Sequence, residues 1–483
     1  MKIYKSKIKL KPSSKRWLLR PFVPGNPNQV EHILLRILST DKKHIENLKE
    51  RVVNRYKNSH PSIEEIFLKH YQNVEDRIAS NMPMTQELKL IIGAYFSQFY
   101  ALESTALFNP SIVLHPSLPS HEKHLNFILS LRAVGEGHVS SIVFREGYID
   151  QNFNIFIKDP LPFIMEPIKN LERKYEKSIF NRNLTESGAI GEICQVVLNR
   201  LPVNFTFEEL NRVLDNREIP MPNYDPVAIN QTLKIIRDLA LSNYDMYFDE
   251  ELEMSGRVIF PMSPSQTNGI EDARFVRFED EDGQIIYYAT FTAYNGRSIV
   301  PELLETQDFR HFKVSTLSGP FAKNKGLAMF PKKIRGKYMM LGRQDNESIY
   351  LMESDDPYVW ENAISIVKPT YPWEFVQIGN CSSPIEIEEG WLVLTHGVGA
   401  VRRYCIGAIL LDKENPAKVI GRLRKPLMEP MGQESFGYVP NVLYTCGALL
   451  FQNHLFFPFA MSDSKTQFAH VSIEDILNEM VKL

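Results

Sequence analysis

The chain has 483 residues, with 55 basic and 58 acidic side chains and a formal net charge of −3. A hydrophobic content of 43% is ample for a large core. A charge balance this close to neutral gives no electrostatic basis for a nucleic acid or membrane partner, and neither is expected.

The N-terminus, Met1-Lys2-Ile3-Tyr4-Lys5, is basic but lacks the apolar segment of a secretory signal. No apolar run approaches the roughly 18 residues of a membrane span. The four cysteines lie far apart without a CxxC pair, which predicts buried free thiols in a reducing compartment. We therefore expect a cytoplasmic protein.

The first part of the chain, residues 1–104, predicts an N-terminal strand followed by a helical extension. Strand-like residues 1–25 precede a mostly helical segment over 28–104. Apolar residues recur three and four positions apart at Val30, Ile33, Leu34, Ile37 and Leu38. Because an isolated helix of this size is marginal in water, we expect the extension to cover the main domain or to form a homo-oligomer.

Residues 105–185 and 246–483 have the pattern of short antiparallel strands separated by turns such as Asp280-Glu281-Asp282-Gly283. Between them, residues 186–245 predict a helical insertion. So many strands exceed a simple sandwich and favour a mainly β fold, a β-propeller of several four-stranded blades. The sequence contains no clear repeat from which the number of blades could be counted.

The most informative segment is Asn268-Gly269-Ile270-Glu271-Asp272-Ala273-Arg274. Its Asn-Gly turn leads into residues 275–278, which alternate like a strand. Alternation predicts Glu271 and Asp272 on opposite sides, with Arg274 beside Asp272, where it could hold a carboxylate or an anion. The segment is therefore either a candidate general acid or a surface hairpin with solvated charges.

Other polar side chains collect where strands begin or end, and one end of a propeller channel would gather them from every blade. They are Asn109, Ser111, Arg132, Lys325, Arg343 and His396. This combination suits an anion site. The alternatives are salt bridges between blades for Arg132 and Arg343, and a core histidine for His396. Since His138 and His396 lack partners at metal-ligand spacing, we expect no metal.

The segment 268–274 is similar to the Gly-x-Glu-Asp-Pro-Arg motif of glycoside hydrolase family 130, which contains β-mannoside phosphorylases and β-1,2-mannosidases. Further segments resemble the family and occur in its order: 108–111, 131–132, 328–334, 341–343, 390–398 and 459–463. The resemblance spans about 105–150 and 250–470 and says nothing about either helical segment.

The resemblance implies a five-bladed β-propeller with an active site on its axis and an inverting mechanism. Asp272 would be the general acid, relaying its proton through a hydroxyl of the mannosyl ring. Phosphate would attack C1 from the opposite face and release mannose 1-phosphate. Such an acid must be protonated near neutral pH, which requires burial or a neighbouring negative charge.

The resemblance also implies which residues bind substrate or phosphate. These are Asn109, Ser111, Arg132, Glu271, Arg274, Lys325, Arg343, His396 and Asp463. The partners would be an oligosaccharide and inorganic phosphate as co-substrate, with no cofactor.

The chain departs from the family at four positions. Ala273 replaces a proline, Lys325 an arginine, Gln377 a lysine and Thr395 a tyrosine. Lys325 keeps its charge but loses the bidentate fork of arginine. These changes weaken phosphorolysis relative to hydrolysis, although the remaining cations favour phosphorolysis.

Three alternatives remain open. An inverting β-mannosidase would need a base about 6.5–9.5 Å from the acid, for which Glu374, Glu386 and Glu434 are candidates. A non-catalytic carbohydrate-binding propeller, or a glycosidase for another sugar, is also compatible with the pattern. The aromatic stretches 371–374 and 436–441 either line sugar subsites or pack between blades.

Overall fold

The computed structural model describes residues 1–57, 60, 62–78, 82–120, 123–170, 172–216, 218 and 220–483. They form two compact units: one contains Met1–Pro12, Thr105–Asp159 and Glu166–Leu483, and the other contains Ser13–Ser104 and Pro160–Met165. In this described part of the chain, no helix is both long and apolar enough to cross a membrane.

The smaller unit is a helical layer with a short sheet. Its helices are Pro27–Leu38, Lys42–Tyr56, Ile63–Tyr71 and Gln86–Tyr95, and its strands are Ser13–Pro21, Ser97–Glu103 and Phe163–Ile164. The predicted apolar stripe is buried at Val30, Leu34 and Ile37. Gly93 lets two helices touch, because an added Cβ would lie 1.8 Å from the Phe67 carbonyl oxygen.

Besides the two-stranded hairpin of the helical insertion, the described residues of the larger unit form five antiparallel sheets. Sheet 1 contains Ala106–Leu114, His124–Val134, Ser140–Asp150, Ile155–Ile157 and Val258–Ile259. Sheet 2 contains Ile270–Glu279, Ile285–Tyr294, Ile299–Thr306, His311–Thr316, Tyr244–Tyr247 and Ile168–Asn170. Sheet 3 contains Ala328–Met329, Tyr338–Gly342, Ile349–Ser354 and Asn362–Val367. Sheet 4 contains Gln377–Asn380, Ile385–Ile387, Gly390–Val398, Tyr404–Leu411, Val419–Leu423 and Met480–Lys482. Sheet 5 contains Leu443–Tyr444, Leu449–Phe451, His454–Met461, Lys465–Ser472 and Tyr4–Leu10.

One strand of each sheet, in the order of sheets 1 to 5, is called its leading strand below: Ala106–Leu114, Ile270–Glu279, Ala328–Met329, Gln377–Asn380 and Leu443–Tyr444. Each sheet contacts the next one in this order, and sheet 5 contacts sheet 1 through His454–Met461 and Ala106–Leu114. The N-terminal strand Tyr4–Leu10, grouped with the extension in the sequence analysis, pairs instead with Lys465–Ser472 of sheet 5. The predicted turn at 280–283 joins two strands of sheet 2, with Gly283 at φ +77°.

The helical insertion also lies in the larger unit. It begins before the predicted residue 186 and contains the helices Lys177–Glu186, Gly191–Leu198, Phe207–Asp215 and Pro226–Ser242, with the hairpin of Lys174–Glu176 and Asn204–Thr206. The helices enclose their own apolar core around Phe180, Leu198, Phe205 and Ile236. One further helix, Ile473–Glu479, precedes the last strand.

The two ends of the leading strands are built differently. Candidate site residues lie where these strands begin. A cavity of about 680 Å³ lies along the later parts of these strands and the residues that follow them. Its lining includes 112–114, 275–277, 331–333, 383–386 and 447–450. We refer to these regions as the site end and the far cavity.

Candidate active site

The segment that begins the leading strand of sheet 2 is not a regular strand. Gly269 has φ +127°, and a Cβ there would lie 2.4 Å from Ser140 Oγ, so the turn requires glycine. Asp272 has φ +55°, and the register shifts between Glu271 and Arg274. A bulge of this kind re-aims side chains at functional sites.

The bulge corrects the prediction that Glu271 and Asp272 point to opposite sides. Both carboxylates bind the same guanidinium: Arg132 Nη2 donates to Glu271 Oε1 at 3.0 Å and Arg132 Nη1 donates to Asp272 Oδ1 at 3.3 Å. Simple alternation fails because Asp272 occupies the left-handed region. The motif therefore presents two acids on one face.

Two further groups hold the acid pair, one on each carboxylate. Asn109 Nδ2 donates to Asp272 Oδ1 at 2.6 Å, and Asn109 itself has φ +44°. Lys325 forms an ion pair with the second oxygen of Glu271. Two buried atoms of this cluster, Asn109 Oδ1 and Arg132 Nε, have no hydrogen-bond partner among the described residues. Such unpaired buried polar groups indicate a place for a ligand.

Arg274 and Ser111 belong to the cluster but are occupied by the protein. Arg274 donates to the backbone oxygens of Asp272 and Cys381, each at 3.0 Å, and to Tyr444 Oη at 2.6 Å. Ser111 Oγ accepts the Phe275 N–H at 3.0 Å. These contacts hold the strand that carries Asp272 in position. Because all three nitrogens of the Arg274 guanidinium already donate to protein oxygens, Arg274 is not placed to bind an anion with two of them.

A second group of polar side chains comes from sheets 3 and 4. Arg343 Nη1 lies 3.0 Å from His396 Nε2, and Gln377 Nε2 lies 3.3 Å from the same nitrogen. Arg343 Nε is buried without a partner in the described chain. Asn324, next to Lys325, donates to the backbone oxygen of Arg343 at 3.3 Å, so the segments that carry the two cations are in contact.

Tyr444 connects the two groups and was not among the residues predicted from the sequence. Its hydroxyl accepts from Arg274, while its ring centroid lies 5.0 Å from that of His396. A contiguous set of side chains thus runs from Asp272 through Arg274, Tyr444 and His396 to Arg343. No motif marks Tyr444, because it is one aromatic residue in a buried strand.

The two aspartates of the site have opposite pKa shifts. Burial acts to raise the pKa of Asp272, but Arg132, Arg274 and the hydrogen bond from Asn109 outweigh it and lower that pKa. Burial, followed by the charge of Asp272, raises the pKa of Asp463 from 3.8 to about 7. In the unliganded protein Asp463, rather than Asp272, is therefore the carboxyl that keeps a proton toward neutral pH.

His396 is uncharged at physiological pH. Its side chain is buried, and burial together with the charges of Arg343 and Arg274 lowers its pKa well below the ordinary value. Because a guanidinium only donates, His396 Nε2 must be the acceptor in its contact with Arg343.

The three candidate bases do not join this cluster. Glu374 is fully buried and accepts from the Thr370 and Tyr371 N–H groups while pairing with Arg422. Glu386 lines the far cavity and pairs with two lysines. The carboxylate of Glu434 pairs with Lys5, while its backbone oxygen accepts from Ser462 Oγ at 2.7 Å.

The two aromatic stretches have different environments. Trp373 packs against Gly397 and Gly407 and donates to the Arg424 oxygen, which is a structural role. Phe436 and Tyr438 are 67% and 59% exposed. The intervening Gly437 lies against Ser462, beside Asp463. Only the second stretch is free to meet a sugar ring.

Within the described ranges, no group of three or more His, Cys, Asp or Glu side chains is placed to hold a metal ion. All four cysteines are free and buried, as predicted.

Comparison with known proteins identifies the family. The family model for glycoside hydrolase family 130, described as beta-1,4-mannooligosaccharide phosphorylase, matches residues 236–482. A 1,2-beta-oligomannan phosphorylase of Thermoanaerobacter sp. (strain X514) is 32% identical over 222 residues, covering 44% of this chain and 71% of that protein. A beta-1,2-mannobiose phosphorylase of Listeria innocua is 30% identical over 231 residues, covering 46% of this chain and 63% of that protein.

Among solved structures, a beta-1,2-mannobiose phosphorylase from Listeria innocua in complex with beta-1,2-mannobiose gives a TM-score of 0.47 at 20% identity, covering 79% of this chain and 92% of that chain. The assignment rests on the sequence matches. The chain belongs to glycoside hydrolase family 130, a family of enzymes that act on glycosides.

Proposed function

We propose that this enzyme cleaves β-mannosides by phosphorolysis with inversion and releases mannose 1-phosphate. The observation that carries the proposal is the buried cluster in which Asp272 accepts from Asn109 and Arg132. Lys325 pairs with the adjoining Glu271, and Arg343 joins the cluster through His396 and Tyr444. The names of its relatives, oligomannan and mannobiose phosphorylases, support the same chemistry.

In the proposed reaction, Asp272 supplies the proton for the departing sugar through a hydroxyl of the mannosyl ring. That hydroxyl passes its own proton to the glycosidic oxygen as the bond from C1 to that oxygen breaks. A phosphate oxygen forms the new bond to C1 from the opposite face, and the proton of hydrogen phosphate replaces the one that Asp272 gave up. Protons therefore balance over the cycle.

The pKa shifts constrain this step. Asp272 is ionised in the unliganded protein, while Asp463 retains a proton to about pH 7. We infer that the two carboxyls share one proton, which must reside on Asp272 when substrate is bound. Substrate hydroxyls that replace Arg132 or Asn109 as partners of Asp272 would raise its pKa toward this condition.

Arg343 and Lys325 are the side chains best placed to hold phosphate. Arg343 has a buried Nε with no partner among the described residues, and it can meet two oxygens of one anion with its fork. Lys325 adds a single charge. Positioning phosphate and stabilising its charge would then come from the same two groups.

Product analysis tests the proposal. The protein is incubated with β-1,2- and β-1,4-linked mannobiose, each with and without phosphate. Mannose 1-phosphate formed only when phosphate is present is the expected result. Free mannose formed at equal rates in both conditions would overturn it and establish a hydrolase, and absence of turnover would favour a carbohydrate-binding protein.

Hydrolysis is the second candidate, motivated by the replacements at Gln377 and Thr395. The contacts of Glu374 and Glu386 count against it, because both carboxylates are bound away from Asp272. Glu434→Gln separates the two reactions: it would abolish hydrolysis that uses this base and leave phosphorolysis unchanged.

We further propose that the five sheets are the blades of a five-bladed β-propeller. Their successive contacts, with sheet 5 meeting sheet 1, support a closed ring, and the beginnings of the leading strands would then surround its axis. A crystal structure tests this, and five sheets in an open arrangement would refute it.

A further inference from the structure

We propose that His396 is a positioning residue for phosphate: its uncharged ring holds the Arg343 guanidinium, and the ring makes no contact with phosphate itself. This inference deepens the proposed function and rests on it for the identity of the anion. It departs from the role that the family resemblance implies, in which His396 binds phosphate directly.

The first step is the hydrogen-bond capacity of the ring. A neutral imidazole has one N–H donor and one acceptor nitrogen. Nε2 lies 3.0 Å from Arg343 Nη1, and since guanidinium nitrogens only donate, Nε2 accepts. The proton is therefore on Nδ1, which faces Cys381 Sγ at 3.8 Å. No N–H of His396 is left to donate to an anion.

The second step is the environment of the ring, which resists protonation. The charges acting on it are those of Arg343 and Arg274, both positive. The other titratable neighbours are Cys381, Tyr404 and Tyr444, at a Sγ distance of 3.8 Å and ring-centroid distances of 5.9 and 5.0 Å. Burial raises the pKa of Cys381 to about 12, so that thiol supplies no negative charge at neutral pH.

The third step is Gln377, one of the departures from the family. Its amide Nε2 lies 3.3 Å from His396 Nε2 and can share the same acceptor without adding charge. Gly379 makes room for the arrangement, because a Cβ there would lie 2.5 Å from the ring. The ring is therefore fixed by its surroundings and in turn fixes Arg343 Nη1.

These contacts fix the orientation of the Arg343 guanidinium. With Nη1 held by His396, Arg343 presents its Nε, buried and without a partner among the described residues, to the site. Protonation of His396 would remove the acceptor and place a cation against the guanidinium. Anion affinity should therefore fall as the ring is protonated, whereas a histidine that contacted phosphate directly would bind better when charged.

The test compares His396→Gln, whose side-chain oxygen can replace Nε2 as an acceptor, with His396→Met, which has similar size and no strong acceptor. We expect His396→Met to raise the KM for phosphate by about tenfold or more with a smaller change in kcat. His396→Gln should stay within about threefold of the unaltered protein. Equal losses in both variants would overturn the proposal, and equal melting temperatures exclude misfolding as the cause.

Calorimetric titration with sulfate gives a readout that does not require turnover. Sulfate keeps its charge across the acid range, so any pH dependence belongs to the protein. Asp463 titrates in both the unaltered protein and His396→Gln, so the two affinities are compared as a ratio at each pH. The affinity of the unaltered protein relative to that of His396→Gln should fall on acidification. A ratio that rises on acidification would refute positioning by a neutral ring. If mannosides are not turned over but sulfate shows the expected pattern, the proposed function fails and this inference stands.

Discussion

The two ends of the leading strands differ in how completely their polar side chains are paired. The far cavity measures about 680 Å³ and has an apolar wall, yet its charged side chains are paired. Glu386 binds Lys332 at 2.7 Å and Lys413 at 3.2 Å, and Lys333 binds Glu281 at 3.1 Å. One uncharged hydroxyl, Ser383 Oγ, lacks a partner there among the described residues.

The site end has the opposite character. Arg132 and Arg343 each have a buried Nε without a partner in the described chain, and four residues have positive φ: Asn109, Asp272, Asn324 and Asp463. Left-handed non-glycine residues and unpaired donors both cost stability. The comparison teaches that unpaired donors and left-handed backbone distinguish the candidate site from the far cavity, and that cavity volume does not.

The largest difference in activity between a variant at the site end and a variant at the far cavity is expected from Asp272→Asn. An amide of the same shape cannot supply the proton, so the initial rate of phosphorolysis should fall about a hundredfold or more. Glu279→Gln, at the far cavity, is the matched control and should retain the full rate. Equal rates for both variants would mean that Asp272 is not the acid.

Arg343→Lys is expected to have the next largest effect. The charge remains, but the two-pronged fork that would meet phosphate is lost, so KM for phosphate should rise by about tenfold. Lys332→Arg at the far cavity makes the reverse exchange and should leave KM unchanged. Phosphate saturation curves measured at constant mannobiose compare the two directly.

Asp463→Asn should change stability with a defined pH dependence. Because the folded protein raises the pKa of Asp463 from 3.8 to about 7, the folded state holds this proton more tightly than the unfolded state. Stability therefore falls as pH rises through this window. The variant should gain a few degrees in Tm at pH 8 relative to the unaltered protein, and this gain should shrink at pH 4.

Glu386→Gln at the far cavity should give the smallest effect, of opposite sign. Burial acts to raise the pKa of Glu386, but Lys332 and Lys413 outweigh it and lower that pKa. Its contribution is present above the ordinary pKa and lost as pH falls. With the side chain 33% exposed, the loss at pH 7 should stay below about 1 kcal/mol in denaturant titrations.

The residues of the candidate site could be predicted from the sequence better than the geometry in which they meet. The Glu271-Asp272 motif and the cations Arg132, Lys325 and Arg343 could be found because polar residues at strand beginnings are visible in the chain. The shared guanidinium of the two acids was not predictable, since it depends on the positive φ of Asp272.

The fold shows the same limit. Strand pattern and turns predicted the mainly β region, but the strand Ser97–Glu103 was taken as part of a helical segment. Its pairing with Ser13–Pro21 lies far away in sequence, and long-range pairing overrides local periodicity. Glu374 shows the same limit at a single side chain, because an acid bound to backbone N–H groups and Arg422 looks the same in sequence as a free one.

The pairing of Tyr4–Leu10 with Lys465–Ser472 has a consequence for biogenesis. The ribosome releases Tyr4–Leu10 long before its partner strand exists, so this edge of sheet 5 cannot form until Lys465–Ser472 has been synthesised. Asp463 precedes that late partner by two residues and belongs to the same hairpin. A nascent chain that stopped before Asp463 would therefore lack both the partner of Tyr4–Leu10 and one carboxyl of the candidate site.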